Sequence, residues 1–192
     1  IDGFTITGGT GTSALIPVNG VYGGGIFVYE APAVIKNNFI DGCGIAGVSG
    51  FSGGGGIAVY NSSVTIEGNE ITNSLAQNGG GIYLYMGTAV ISGNTISGSQ
   101  PNAEYTGDKK GGGIYARSSD LTLSGNTITG NTGYVSGGGI YAKLSPVSIE
   151  GDVIEANTAD SDGGGIFADH SALTVSGAKI TGNEAASTGG GI

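Results

Sequence analysis

Three charged residues occur at equal intervals in the second half of this chain. They are Arg117, Lys143 and Asp169, each 26 residues from the next. A basic side chain beside a carboxylate could act as a general base in polysaccharide cleavage. Opposite charges that recur in this way also form ordinary surface ion pairs. We predict no catalytic residue here and keep a lyase-like reaction as the alternative.

Carboxylates form two further groups that could act chemically. Pairs that could cleave glycosidic bonds are found among Asp160 and Asp162, and among Glu150, Asp152 and Glu155. Oxygen ligands for calcium could come from Asp160, Asp162 and Glu184. The simpler interpretation is that these side chains keep a glycine-rich surface soluble. Calcium is therefore the only cofactor kept open.

The chain has one histidine and one cysteine. His170 is predicted to be a solvated loop residue, because no serine lies in a nucleophile-elbow context beside it. Cys43 is predicted to be a buried, inert thiol. A single cysteine excludes an intrachain disulfide framework and a cysteine-based zinc site.

Aromatic residues recur next to the charged ones. One set is Phe27, Ala58, Tyr83, Tyr115, Tyr141 and Phe167, and a second, two residues on, is Tyr29, Tyr60, Tyr85, Arg117, Lys143 and Asp169. Aligned rings could form a platform for sugar rings, although they could also simply stabilise each other by stacking. The glycan-binding residues predicted on this face are Tyr83, Tyr85, Tyr115, Arg117, Tyr141, Lys143, Phe167 and Asp169.

An internal repeat must position these residues. The segment Gly-Gly-Gly-Ile begins at residues 23, 54, 79, 111, 137, 163 and 189, so the unit is about 26 residues with insertions in some copies. Each unit contains three short apolar pulses that alternate with polar residues, as in Ile140 and Ala142, Val147 and Ile149, and then Ile154. This alternation predicts three strands per unit and essentially no helix.

Three strands per repeat predict an all-β, right-handed, single-stranded parallel β-helix of about six complete coils. Coils stacked at the strand spacing of about 4.8 Å give a rod roughly 30 Å long. Three columns form the predicted core: Ile26, Ile57, Ile82, Ile114, Ile140 and Ile166; Ile35, Ile66, Ile91, Leu123, Ile149 and Val175; Ile40, Ile71, Ile96, Ile128, Ile154 and Ile180. The whole chain, 1–192, is predicted to be one β-helix segment of a longer protein, without caps.

The glycines and asparagines receive a structural interpretation. A glycine triplet at a repeated corner permits positive φ and close backbone approach. It is no phosphate loop, because Ile and not Lys-Ser/Thr follows it. Asn38, Asn69, Asn94 and Asn126 are predicted to adopt left-handed geometry and to form an amide ladder that ends at Asp152 and Ala178.

Composition excludes several classes of protein. The net charge is −9, which disfavours nucleic acid as a partner. No apolar run is long enough to span a bilayer, so membrane insertion by this segment is not expected. The 42 glycines lack the every-third-residue period of collagen. Low charge density is compatible with an extracellular protein.

The motifs resemble a known class of bacterial surface proteins. Gly-Gly-Gly-Ile-Tyr, together with Ile128-Thr-Gly-Asn131, Ile154-Glu-Ala-Asn157 and Ile180-Thr-Gly-Asn183, is similar to the repeats of chlamydial polymorphic outer membrane proteins. The opening Ile1-Asp-Gly-Phe-Thr-Ile-Thr-Gly-Gly9 resembles bacterial right-handed parallel β-helix proteins more widely. Ile replaces the family's Phe, and earlier coils carry Cys43, Ser74 and Ser99 at the Asn position. The resemblance implies a secreted or surface-displayed passenger that is often adhesive.

Three functions follow as expectations. The first is a non-enzymatic extracellular or cell-surface β-helix, acting as a stalk, adhesin passenger or filament unit that binds a glycan or a host or cell-surface receptor. The second is a β-helix that binds or cleaves polysaccharide on its aromatic face. The third, ice binding, depends on an outward column of Thr65, Thr122 and Thr174, which Val34, Val90 and Ser148 interrupt.

Two further features concern partners. Residues 9–22, 44–53 and 100–110 lengthen one corner and include Tyr22, Phe51, Tyr105, Lys109 and Lys110. Insertions confined to one edge often form a binding surface. The missing caps favour head-to-tail self-assembly.

Overall fold

The computed structural model describes residues 1–14, 20–45, 51–102 and 109–192. These residues form an all-β structure in which almost every strand pairs in parallel with the equivalent strand one repeat away. The predicted parallel β-helix is confirmed. No helix long and apolar enough to cross a membrane occurs within those ranges.

The first sheet follows the glycine triplets and contains six strands. Each begins at the isoleucine after a triplet, and Ile140 pairs in register with Ile114 and Ile166. Its strands are Ile26–Tyr29, Ile57–Tyr60, Ile82–Tyr85, Ile114–Arg117, Ile140–Lys143 and Ile166–Asp169.

The second and third sheets form the next two sides of each coil. The second contains Ala33–Lys36, Ser63–Glu67, Thr88–Ser92, Asp120–Ser124, Val147–Glu150 and Leu173–Ser176. The third contains Thr5–Thr7, Phe39–Asp41, Glu70–Thr72, Thr95–Ser97, Thr127–Thr129, Val153–Glu155 and Lys179–Thr181. Registers across both sheets match the predicted columns.

A short fourth side, which the sequence pattern did not predict, lies between the third sheet and the next glycine triplet. Leu75–Ala76 pairs with Gln100–Pro101, and Thr132–Gly133, Thr158–Ala159 and Glu184–Ala185 form a three-stranded ladder. Two-residue strands carry too little alternation to be recognised from sequence.

The lengthened corner forms a small sheet of its own. Thr12–Ala14 pairs antiparallel with Gly20–Tyr22, which pairs in parallel with Phe51–Gly53. Phe51 and the fully buried Tyr22 pack against the aromatic residues of the first sheet. The insertion residue Tyr105 lies outside the described residues.

The core is the stacked set of inward-pointing aliphatic residues. The columns that begin at Ile26, Ile35 and Ile40 are buried as predicted over most of their length. Val175 is 38% exposed, so its assignment to the core was wrong. It lies in the last coil, where a neighbouring coil covers it on one side only.

Each residue of the glycine triplet has its own structural reason to be glycine. Gly137 has φ +68°, which residues with a Cβ adopt only with strain. A Cβ on Gly138 would overlap the Thr158 carbonyl oxygen, and one on Gly139 would lie 2.6 Å from the Gly165 carbonyl oxygen. Positive φ and close approach of adjacent coils, both predicted, are confirmed.

Candidate functional site

The outward side chains of the first sheet form a continuous stack of aromatic rings. Tyr83 and Tyr115 have ring centroids 5.2 Å apart and planes 9° apart, and Tyr115 and Tyr141 repeat this geometry at 5.1 Å and 9°. Phe167 continues the stack at 5.6 Å. Each ring packs face to face on its neighbours, as expected for a ladder that stabilises adjacent coils.

The ring stack lies on the outer face of the first sheet, yet most of its side chains are buried from solvent. Tyr83, Tyr115 and Tyr141 are only 2%, 6% and 1% exposed. Burial raises the pKa of Tyr22 to about 12, and burial followed by the neighbouring tyrosines raises the pKa of Tyr83 and Tyr115. Tyr83, Tyr115 and Tyr141, which were predicted to bind a glycan, therefore expose little ring surface to a sugar.

The rest of the predicted glycan-binding set is more accessible. Arg117 is exposed, whereas Tyr85, Lys143, Phe167 and Asp169 are partly buried. Tyr85 stacks on Tyr60 at 5.1 Å, and the Arg117 guanidinium lies 5.8 Å from the Tyr85 ring centroid. An aromatic–cation surface thus remains at the end of the first-sheet strands.

Asp169 links this surface to the adjacent coil through its side-chain hydrogen bonds. Its Oδ2 accepts a 2.6 Å hydrogen bond from Lys143 Nζ and a 3.4 Å bond from the Tyr141 hydroxyl, while Oδ1 contacts His170. The Lys143 hydrogen bond, followed by that of His170, lowers the pKa of Asp169 to about 2. The His170 side chain is 80% exposed, which confirms its solvated position.

The carboxylates considered for hydrolysis or calcium are engaged separately. Asp162 accepts hydrogen bonds from Ser161 and Thr188, Glu155 pairs with Lys179, and Asp152 is buried inside the coil. Within the described ranges, no three His, Cys, Asp or Glu residues come together as a metal site. The structure therefore gives no support to calcium bound by Asp160, Asp162 and Glu184.

Comparison with known proteins agrees with this geometry. A family model described as a right handed beta helix region matches residues 24–192. The chain belongs to this right-handed β-helix family. Neither the curated proteins nor the solved structures gave a significant match.

Inside the β-helix, the predicted asparagine ladder is confirmed. Each Nδ2 donates to the Oδ1 of the next coil, from Asn38 to Asn69, Asn94, Asn126 and finally Asp152, over 2.7–3.0 Å. Each Oδ1 also accepts the backbone N–H of the preceding member. These polar groups hydrogen-bond to each other within the ladder and so hold adjacent coils together.

One detail of that prediction was wrong. The ladder asparagines do not adopt the left-handed conformation. The residue before each one does, and these residues are Asn37, Gly68, Gly93, Gly125 and Gly151. Glycine makes this corner in all but one of these coils, where Asn37 does so, and the ladder asparagines supply only the hydrogen bonds.

Two further polar ladders of the β-helix were not predicted. Asn131, Asn157 and Asn183 repeat the amide geometry on the third corner, with Nδ2 to Oδ1 distances of 3.0 and 2.9 Å. Backbone N–H groups of Ser119 and Ser145 donate to the hydroxyls of the next coil, Ser145 and Ser171. The repeated Ile-x-x-Asn spacing in the sequence was the signal for the first of these.

The single thiol of the β-helix belongs to Cys43, which occupies the position in its coil that Asn131 occupies in a later coil. Cys43 is fully buried, as predicted, and the loss of solvation raises the pKa of its thiol. The reactive thiolate is therefore disfavoured.

The insertion residues Lys109 and Lys110 lie over aromatic rings. Their Nζ atoms are 5.0 Å from the Tyr134 centroid and 5.3 Å from the Tyr141 centroid. Lys110 and Arg117 therefore lie over rings of the first sheet, whereas Lys109 lies over Tyr134, outside the aromatic stack. On the second sheet, Thr65, Val90 and Thr122 share one outward column, as predicted. Ice binding by that column stays a prediction.

Proposed function

We propose that this β-helix is a non-enzymatic scaffold, displayed outside the cell or on its surface, that holds an interaction surface for another molecule. One observation carries the proposal. The aromatic and polar side chains that recur in most coils contact their counterparts in neighbouring coils, as in the Tyr83–Tyr115–Tyr141 stack and the Asn69–Asn94 hydrogen bond. Their recurrence therefore has a structural purpose.

The location outside the cell is supported by the resemblance to bacterial surface passengers and by the low charge density of the chain, with 11% charged residues. A stalk or adhesin passenger needs the regular stacking observed here. Head-to-tail self-assembly into a filament stays a prediction.

A turnover assay tests the non-enzymatic role. The intact chain is incubated at neutral pH, with and without Ca²⁺, with polygalacturonate, alginate, xylan and cellulose. We expect neither new reducing ends nor unsaturated products. Cleavage that Arg117→Ala or Asp169→Asn abolishes would refute the proposal and establish the lyase-like alternative.

Glycan binding is the second candidate, because Tyr85 and Arg117 form an accessible ring–cation pair. The row of rings continues from Tyr85 through Tyr60 to the 39% exposed Tyr29. A glycan array probed with wild type and Tyr85→Ala tests it. Binding that is lost in Tyr85→Ala supports this candidate, and absence of binding rejects it.

A further inference from the structure

Four corners of each coil contain a residue with positive φ, but the residue types differ sharply between corners. Glycine fills all seven such positions at the triplet corner, six of seven at the corner between the second and third sheets, and five of seven after the third. After the first sheet it fills none of six. We call these six residues the first-corner ridge: Glu30, Asn61, Met86, Ser118, Leu144 and His170.

The ridge residues are not glycine, although their backbone conformation disfavours a residue with a Cβ. Their φ values lie between 48° and 56°, a conformation in which a Cβ crowds the carbonyl oxygen. Met86 and Leu144 are also 48% and 54% exposed, so neither fills the core. Residues held in strained conformations recur at binding and catalytic sites.

The side chains beside the ridge suit a protein interface. Around Arg117 the exposed side chains include Met86, Ser118 and Leu144, with the partly buried Tyr85 beside them. Further along the ridge, Tyr29, Glu30, Asn61 and His170 are also exposed. Tyrosine, methionine and arginine are enriched where proteins meet, and large exposed apolar side chains mark such surfaces. The side chains of Met86 and Leu144 cannot hydrogen-bond to sugar hydroxyls, so the part of the surface that they form suits a peptide better than the glycan considered for Tyr85 and Arg117.

The charges indicate what kind of protein segment would bind. Lys143 is neutralised by Asp169, whereas no described carboxylate forms an ion pair with Arg117. Arg117 lies in the coil between those of Met86 and Leu144, which are therefore about 10 Å apart along the axis. Arg117 hydrogen-bonds to Tyr115 but has no ion pair with a described carboxylate, so its guanidinium is a target for one carboxylate of a partner.

We infer that the first-corner ridge is a protein-docking surface, and that its partner is a peptide segment with a carboxylate between apolar side chains. The carboxylate binds Arg117, and the flanking apolar side chains pack on Met86 and Leu144. This inference builds on the proposed scaffold role by naming the surface and the class of partner.

The test uses a random 12-residue peptide library displayed on phage and selected on the intact chain. We expect selected peptides to be rich in Asp or Glu next to Leu, Ile or Phe. The double variant Met86→Gly, Leu144→Gly should weaken their binding at least tenfold, and Arg117→Ala should remove the preference for acidic residues.

Thermal unfolding of the same variants separates binding from folding. Glycine relieves strain at positive φ, so Met86→Gly and Leu144→Gly should unfold at the wild-type temperature or above. Ala156→Gly is the matched control, because Ala156 is exposed with φ 53° at the third corner. It should leave both peptide binding and the unfolding midpoint undiminished.

Three results would overturn the inference. They are failure to select any peptide, peptide binding indifferent to the ridge variants, and a clear drop in midpoint for Met86→Gly or Leu144→Gly. The last would show that these side chains stabilise the fold. Polysaccharide turnover would refute the scaffold role separately, since it does not depend on Met86 or Leu144.

Discussion

Lys143 and Asp169 join two successive coils through a 2.6 Å contact between Nζ and Oδ2. They occupy the same position of adjacent repeats and pair in register in the first sheet. Residues 26 apart in sequence therefore become neighbours at the surface, and the equal spacing of Arg117, Lys143 and Asp169 reflects that geometry.

The depressed pKa of Asp169 predicts a pH dependence of stability. Because its folded pKa is about 2, below the unfolded value near 4, its contribution is complete above about pH 5 and is lost as the pH falls towards 2. Asp169→Asn should lower the free energy of unfolding by about 0.5–1 kcal/mol at pH 7, as for other accessible pairs, and by nothing near pH 2. Urea unfolding at both pH values measures this. Asp160→Asn makes the same charge change and should show no such difference.

Asp152 ends the asparagine ladder and predicts the opposite sign. Burial raises its pKa, so the ionised carboxylate destabilises the folded state once the pH rises above the unfolded value near 4. Asparagine at this position would keep Oδ1 as the acceptor for Asn126. Its Nδ2 would replace the Oδ2 that accepts the Glu150 N–H, exchanging that one hydrogen bond for a donor. Equivalent Nδ2 groups, such as that of Asn126, donate to the carbonyl of the preceding coil.

Asp152→Asn should therefore raise the free energy of unfolding by about 1–2 kcal/mol at pH 7, with the gain shrinking as the pH falls from the raised folded pKa towards 4 and vanishing below 4. Denaturant unfolding across this range measures it. The exposed Asp120→Asn controls for net charge. A destabilised Asp152→Asn protein would contradict the assignment of Asp152 as a buried, charged end of the ladder.

Glycines at different places in a coil should differ in their tolerance of a methyl group. Gly139→Ala places a Cβ 2.6 Å from the Gly165 carbonyl oxygen, so we expect a loss of about 3 kcal/mol. Gly125→Ala meets no atom within 4 Å and adds only the strain of φ +62°, about 1–2 kcal/mol. Calorimetry of the two variants provides the comparison, and equal losses would disprove close approach as the reason for the triplet.

The aromatic stack should contribute strongly to stability. Tyr115→Ala removes a buried ring that contacts Tyr83 and Tyr141, and should lower the free energy of unfolding by about 3–5 kcal/mol. Tyr115→Phe keeps the ring and should cost less than about 1 kcal/mol. The partly exposed Tyr29→Ala is the control and should cost less than Tyr115→Ala. A tolerant Tyr115→Ala protein would reopen the idea that Tyr115 serves a ligand.

The sequence predicted the coil, its three main strands and the register of its columns. It could do so because each repeat carries an isoleucine at fixed offsets from its glycine triplet, so that Ile114, Ile140 and Ile166 align without structural information. The repeat also predicted the Asn94–Asn126 contact, since identical amides one coil apart can bond.

The sequence could not show that the outward rings are covered. Alternation places Tyr83 and Tyr141 outside the coil, but it does not show that rings stack face to face, or that residues as distant as Tyr22 pack on them. It also could not reveal the first-corner ridge, because Met86 and Leu144 look like ordinary turn residues until their φ angles are known.

The backbone hydrogen bonds between coils run along the long axis, so a tensile force between the two ends would load them end-on. Such bonds open one row at a time, as a zipper does, and each released turn of 26 residues would extend by about 90 Å. Stretching of single molecules would then give a regular series of small steps, in contrast to one abrupt rupture. Under strain this architecture yields gradually and lengthens without losing the turns that remain.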